Sequence, residues 1–130
     1  MDPLKEFRGI DAPITRIALY KYDIFATKKF SFGTWTSRQH VFFCIEAGGQ
    51  TGWAENILAV NRPDAVPDEW AACLAELKGR SVTDALAFLR QKICLWEDRL
   101  TEAAEAALVD LAGKLTGRSA RQLLGLGGSG

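Results

Sequence analysis

His40-Val41-Phe42-Phe43-Cys44-Ile45-Glu46-Ala47 runs into Gly48-Gly49-Gln50 and returns through Thr51-Gly52-Trp53-Ala54-Glu55-Asn56-Ile57-Leu58. Two stretches rich in aromatic and β-branched residues flank a tight-turn signal. Strands joined by so short a turn must be antiparallel. The second is the shorter and is interrupted by Gly52. Upstream, residues 14–25 have the same composition without glycine or proline and read as another strand. Alternation puts Ile17, Leu19 and Lys21 on one side and Arg16, Ala18 and Tyr20 on the other. Both sets carry apolar side chains, so the face it buries stays open. The simplest arrangement is a three-stranded meander with one face to be covered.

Helical periodicity takes over after the proline-containing loop at 61–67. Pro67, Asp68 and Glu69 suit a first helical turn. Trp70, Cys73, Leu74 and Leu77 form a stripe, and Gly79 ends it. Ser81 is placed to cap the next helix, with Asp84 in the position of the reciprocal carboxylate. Leu86, Leu89 and Ile93 form its stripe, widened by Ala85 and Phe88. A third helix starts near Thr101. Ala104, Leu108, Leu111 and Leu115 share its apolar face, Ala107 widens it, and Gly117 ends it. A last short helix falls around 120–124. Strands first and helices after predict an α+β fold, with a helical bundle packed on one face of the meander.

The 130 residues suffice for one domain with a real core. The 16 basic and 16 acidic side chains balance, and neither sign gathers in one half, which argues against a nucleic-acid surface. No apolar run approaches the roughly 20 residues of a membrane-spanning helix, and no secretory leader pattern opens the chain. Cys44, Cys73 and Cys94 are odd in number, lack metal or redox spacing, and sit in apolar contexts. With the missing leader, they point to a reducing cytoplasm.

No phosphate-binding glycine loop followed by a helix is present. Glu55, beside Trp53, has the setting of a carboxylate with a raised pKa, but no partner base is visible, so structure or pocket lining is the simpler role. His40 lacks a paired nucleophile or orienting acid. Lys28 and Lys29 suit an anionic ligand or plain solvated surface. Glu97, Asp98 and Asp110 form no facing acid cluster. That leaves residues 26–38, read as a glycine-containing loop carrying Phe30, Phe32, Gly33, Thr34 and Trp35. Such a loop suits closure over a substrate or the filling of a crevice against another domain.

Taken together, Phe30-Ser31-Phe32-Gly33-Thr34, Val41-Phe42-Phe43-Cys44-Ile45-Glu46, Gly49-Gln50-Thr51-Gly52-Trp53-Ala54-Glu55, residues 106–117 and Leu123-Leu124-Gly125 resemble one family. It is the N-terminal capping domain of the enolase superfamily, in its mandelate racemase and muconate lactonizing branch. The similar motifs are Gly-x-x-Gly-Trp-Gly-Glu and Ala-x-x-x-Ala-Leu-Trp-Asp-Leu-x-Gly-Lys-x-x-Gly. Ala54 and Val109 depart from them.

The resemblance implies a lead-in at 1–13, a capping domain at 14–126, and a glycine-rich end at 127–130 where the barrel domain would begin. It implies a partner TIM barrel carrying three acidic Mg²⁺ ligands and the catalytic bases, which abstract the proton α to a carboxylate. It also implies a carboxylate-bearing small-molecule substrate and a homo-oligomer, with no nucleic acid or membrane partner. Phe30, Phe32, Gly33, Thr34, Trp35 and Glu55 become candidate pocket residues, with a second loop at 56–61. No catalytic or metal-ligating residue is assigned to this chain. The expected function is a substrate-specificity cap of a Mg²⁺-dependent racemase, epimerase, cycloisomerase or acid-sugar dehydratase, inert alone. The alternative is a small stand-alone self-association domain without catalysis.

Overall fold

The computed structural model describes residues 11–30, 33–92 and 95–117. Phe32, Ile93, Cys94, the expected short helix at 120–124, the end at 127–130 and most of the lead-in lie outside them. Three strands, β1 (Ile14–Phe30), β2 (Gly33–Ala47) and β3 (Gln50–Val60), come first. Three helices follow, α1 (Asp68–Ala75), α2 (Val82–Lys92) and α3 (Asp98–Thr116). The sheet order is β1-β2-β3, with both pairings antiparallel. This is the α+β meander with helices on one face that the sequence predicts. Gly48 and Gly49 have φ of 58° and 77°, the left-handed pair that a two-residue hairpin turn demands.

All three strands run longer than expected, and this corrects both loop assignments. Residues 26–30 continue β1 and residues 33–38 open β2, with Lys28 opposite Trp35, Lys29 opposite Thr34 and Phe30 opposite Gly33. Interleaved aromatic, threonine and basic residues without proline suit an exposed ribbon as well as a loop. Residues 56–60 likewise belong to β3. The helix α3 starts at Asp98, ahead of the expected Thr101. There the Trp70 indole donates to Glu97 Oε2 (3.1 Å), and the Thr101 hydroxyl donates to the Glu97 carbonyl.

Val41, Phe43 and Ile45 of β2 are fully buried, with Ile17 and Leu19 of β1 packed beside them. That settles which face of β1 turns inward. A register shift between Ile14 and Arg16 also turns Ile14 into the core, against the simple alternation. Leu100, Ala104, Ala107, Leu108 and Leu111 of α3 cover this face, with Trp70, Leu74 and Leu77 around α1 and Val82, Ala85 and Leu89 of α2. The Ser81 hydroxyl accepts the Asp84 amide at 3.2 Å, as its capping position predicts. Gly79 and Arg80 exchange backbone hydrogen bonds with Ile14, which ties the junction of α1 and α2 to the start of the sheet. Gly117, at φ 72°, closes α3 with its amide on the Gly113 carbonyl. Among the described residues no helix is long and apolar enough to cross a membrane.

The tightest joint lies between β3 and α3. A Cβ on Gly52 would overlap the Ala107 carbonyl oxygen and come within 2.7 Å of Leu111 Cβ. Only glycine lets the helix backbone approach the strand this closely. Around it, Asp110 Oδ2 accepts the Trp53 amide at 2.9 Å, and Lys114 Nζ donates to the Thr51 carbonyl at 2.6 Å. Asp110 and Lys114 also pair with each other at 3.1 Å.

Two outcomes test this joint. Gly52→Ala should destabilise the domain by about 1–3 kcal/mol, because backbone rather than a movable side chain blocks the added methyl. Chemical denaturation would check it, and an unchanged midpoint would contradict the close approach. Asp110→Ala should cost about 1 kcal/mol, since the Trp53 amide loses its acceptor at a partly exposed site. Asp110→Asn should recover part of that loss.

Candidate functional site

The candidate residues fall into two separate places. The first is the far end of the β1–β2 ribbon. β3 ends opposite Arg38, and beyond that point, among the described residues, β1 and β2 continue as two strands. Phe30 and Gly33 are the last paired positions before the tip. Gly33 has φ 154°, a conformation that side chains rarely adopt, and the space where its Cβ would stand is open. Thr34 is exposed and Trp35 half-buried. The Arg38 guanidinium lies over the Trp35 ring, 4.5 Å from its centroid. The Trp35 indole N–H is buried without a hydrogen-bond partner.

The second place is the sheet face turned away from the helices. Tyr20 stacks on Phe42 with ring centroids 4.9 Å apart, Tyr22 stacks on His40 at 5.0 Å, and Trp53 lies tilted against Phe42 at 6.0 Å. Tyr20 and Trp53 keep over two-fifths of their surface exposed. Glu55 belongs here. Its Oε2 accepts the Tyr22 hydroxyl at 2.6 Å, and its Oε1 stands 3.7 Å from His40 Nδ1, too long for a hydrogen bond. The bond to Glu55, then burial, hold the Tyr22 hydroxyl above the usual tyrosine range. Both ring nitrogens of His40 are buried and unpaired. The Glu55 carboxylate is committed to the sheet.

Glu55 lies opposite Phe42, roughly 20 Å along β2 from Trp35 at the rise of an extended chain. The structure therefore gathers Gly33, Thr34 and Trp35 at the tip, with Phe30 by backbone pairing, and leaves Glu55 apart. Among the described residues no three His, Cys, Asp or Glu side chains come together to hold a metal ion. Those residues give Mg²⁺ no ligand set.

Asn61 closes the expected second loop at 56–61, but the sequence did not single it out. It is the one non-glycine described residue with positive φ, at 56°. Its side chain accepts the amides of Thr36 (2.7 Å) and Ser37 (3.1 Å) and donates to the Thr34 carbonyl (3.1 Å). An asparagine ahead of Arg62-Pro63 at a strand end is the available signal, since asparagine tolerates left-handed backbone. Gln39 was missed too, because a lone glutamine in a strand carries no pattern.

The family description that matches the chain is the mandelate racemase / muconate lactonizing enzyme N-terminal domain, over residues 18–125. No curated protein gives a sequence match. Among solved structures, an enolase from Bradyrhizobium complexed with magnesium and mandelic acid is similar at TM-score 0.66 and 21% identity, covering 88% of this chain and 35% of that one. The dipeptide epimerase of Enterococcus faecalis V583, complexed with Mg and L-Leu-L-Tyr, is similar at TM-score 0.62 and 15% identity, covering 78% and 31%. The L-Ala-D/L-Glu epimerase of Bacillus subtilis is similar at TM-score 0.51 and 20% identity, covering 76% and 29%. The chain spans about a third of the length of these structures. With the meander and the family match in agreement, the chain belongs to the mandelate racemase / muconate lactonizing enzyme N-terminal domain family.

Proposed function

We propose that this domain is the substrate-selecting cap of a Mg²⁺-dependent enzyme that abstracts a proton α to a carboxylate. Racemases, epimerases, cycloisomerases and acid-sugar dehydratases are the reaction classes in view. The metal ligands and catalytic bases belong to a barrel domain that completes the enzyme. The carrying observation is the ribbon that outruns β3 and ends in Gly33, Thr34 and Trp35. A two-stranded ribbon is marginal in water unless something packs on it. A half-buried tryptophan there suits a partner surface and a bound substrate through its exposed ring. The magnesium and carboxylate-bearing molecules named with the similar structures support the same chemistry for the parent enzyme. The cap itself shapes the mouth of the site and excludes water; proton transfer is the barrel's task.

A second reading draws on the other sheet face. Exposed Tyr20 and Trp53 beside stacked Phe42 suit self-association of the domain without catalysis. Sedimentation of the 130-residue chain separates the two, because a strict monomer removes the self-association reading.

For the capping reading, Trp35→Ala in the barrel-bearing enzyme should raise KM or shift preference among carboxylate substrates by about ten-fold, one lost apolar contact with the ligand. Calorimetric titration of the 130-residue chain with MgCl₂ should give no binding heat. Stoichiometric Mg²⁺ binding by that chain, or unchanged substrate kinetics in the variant, would sink the proposal.

A further inference from the structure

We propose that Asn61 is a positioning residue for the ribbon tip: it stands in for the strand that β3 no longer supplies. This rests on the capping reading and extends it to the residue that sets the aim of the selecting segment. Beyond Arg38 opposite Val60, β2 has no strand neighbour on its β3 side among the described residues. Its backbone groups there would face solvent as an unpaired edge. Asn61 occupies that edge. Its Oδ1 accepts the Thr36 amide at 2.7 Å, the Ser37 amide at 3.1 Å and the Thr36 hydroxyl at 3.3 Å. Its Nδ2 donates to the Thr34 carbonyl at 3.1 Å, and its own amide donates to the Ser37 carbonyl at 2.8 Å. One carboxamide, with its adjoining amide, thus copies the donor and acceptor pattern of a further strand.

The left-handed backbone of Asn61 folds it back onto β2, and few other residues take that conformation. The residues after it brace the same turn. The Arg62 amide donates to Gln39 Oε1 at 2.9 Å, and Gln39 Nε2 donates to the Ser37 hydroxyl at 3.0 Å. Gln39 and Ser37 are both buried, so these bonds are shielded from water. On the other strand, Lys21 Nζ donates to the Pro63 carbonyl at 2.6 Å. The turn therefore bonds to β2 where the ribbon leaves the sheet and to β1 three residues before that point. Trp35 sits between the gripped residues Thr34 and Thr36, so the brace sets the direction of the tip.

Two variants separate the parts of this device. Asn61→Gly keeps the backbone conformation and deletes the carboxamide. Asn61→Asp keeps the acceptor for the two amides and replaces the donor to Thr34 with a charged carboxylate oxygen. In the 130-residue chain, Asn61→Gly should speed amide exchange at Thr36 and Ser37 about ten-fold, the factor for one bond of ordinary net strength. The Phe43 and Ile45 amides should hold their rates, and Asn61→Asp should restore most of the protection. In the barrel-bearing enzyme, Asn61→Gly should raise KM several-fold with kcat little changed, again with recovery in Asn61→Asp. Unchanged exchange at Thr36 and Ser37, or equal acceleration at Phe43 and Ile45, would overturn the proposal. So would an unmoved KM in Asn61→Gly where Trp35→Ala does raise KM. If neither variant moves KM, the capping reading fails and the role of Asn61 in substrate choice fails with it.

Discussion

Gly52 has no Cβ, and the carbonyl of Ala107 uses that space. Everything else in the joint between sheet and helices follows from this approach. With the α3 backbone so near β3, Asp110 reaches the Trp53 amide and Lys114 reaches the Thr51 carbonyl. These are contacts between side chains on the helix and the backbone of the strand, so they fix register as well as distance. The alanines of α3, buried at 103, 104, 107 and 112, extend the same close packing along the helix. Two motifs far apart in sequence are thus two halves of one contact: the glycine and tryptophan of β3, and the aspartate and lysine of α3.

That joint leaves the other end of the sheet free to differ. The helices cover Val41, Phe43 and Ile45, while β1 and β2 continue past the last residue of β3. Stability is concentrated where three strands meet α3. The candidate site is carried where only two strands remain. None of the described residues 24–38 belongs to the buried apolar cluster, so the tip can vary at little cost to the core. The stacked rings of the opposite face, including Tyr22 with Glu55 and His40, belong to the sheet proper and not to that tip.

The hairpin, the three helices and their stripes were legible because each rests on local rules. Gly48 and Gly49 supply positive φ, Ser81 caps, Gly117 terminates, and the apolar positions of α3 recur at helical spacing. The strand ends were not legible. Residues 26–38 mix aromatic and polar side chains in a pattern that an exposed ribbon and a loop share, and pairing with a neighbouring strand settles the matter only in three dimensions. The separation of Glu55 from Trp35 was hidden for the same reason, since it depends on how far the hairpin extends. Asn61 was hidden because its role lies in bonds to residues more than twenty positions away. The inward turn of Ile14 was hidden because a register shift between Ile14 and Arg16 changes the count.

A second bulge, between Phe25 and Lys28, gives β1 one more residue than β2 over the same span. It resets the odd–even phase of the chain, so that Lys29 falls in step with Thr34 and not with Ile17 and Leu19. The tip is therefore numbered independently of the core. Insertion or deletion of a residue at this point is absorbed as a change of phase in the ribbon, and the inward set of β1 keeps its place. For a segment that meets other molecules, this makes length a variable as accessible as side-chain identity.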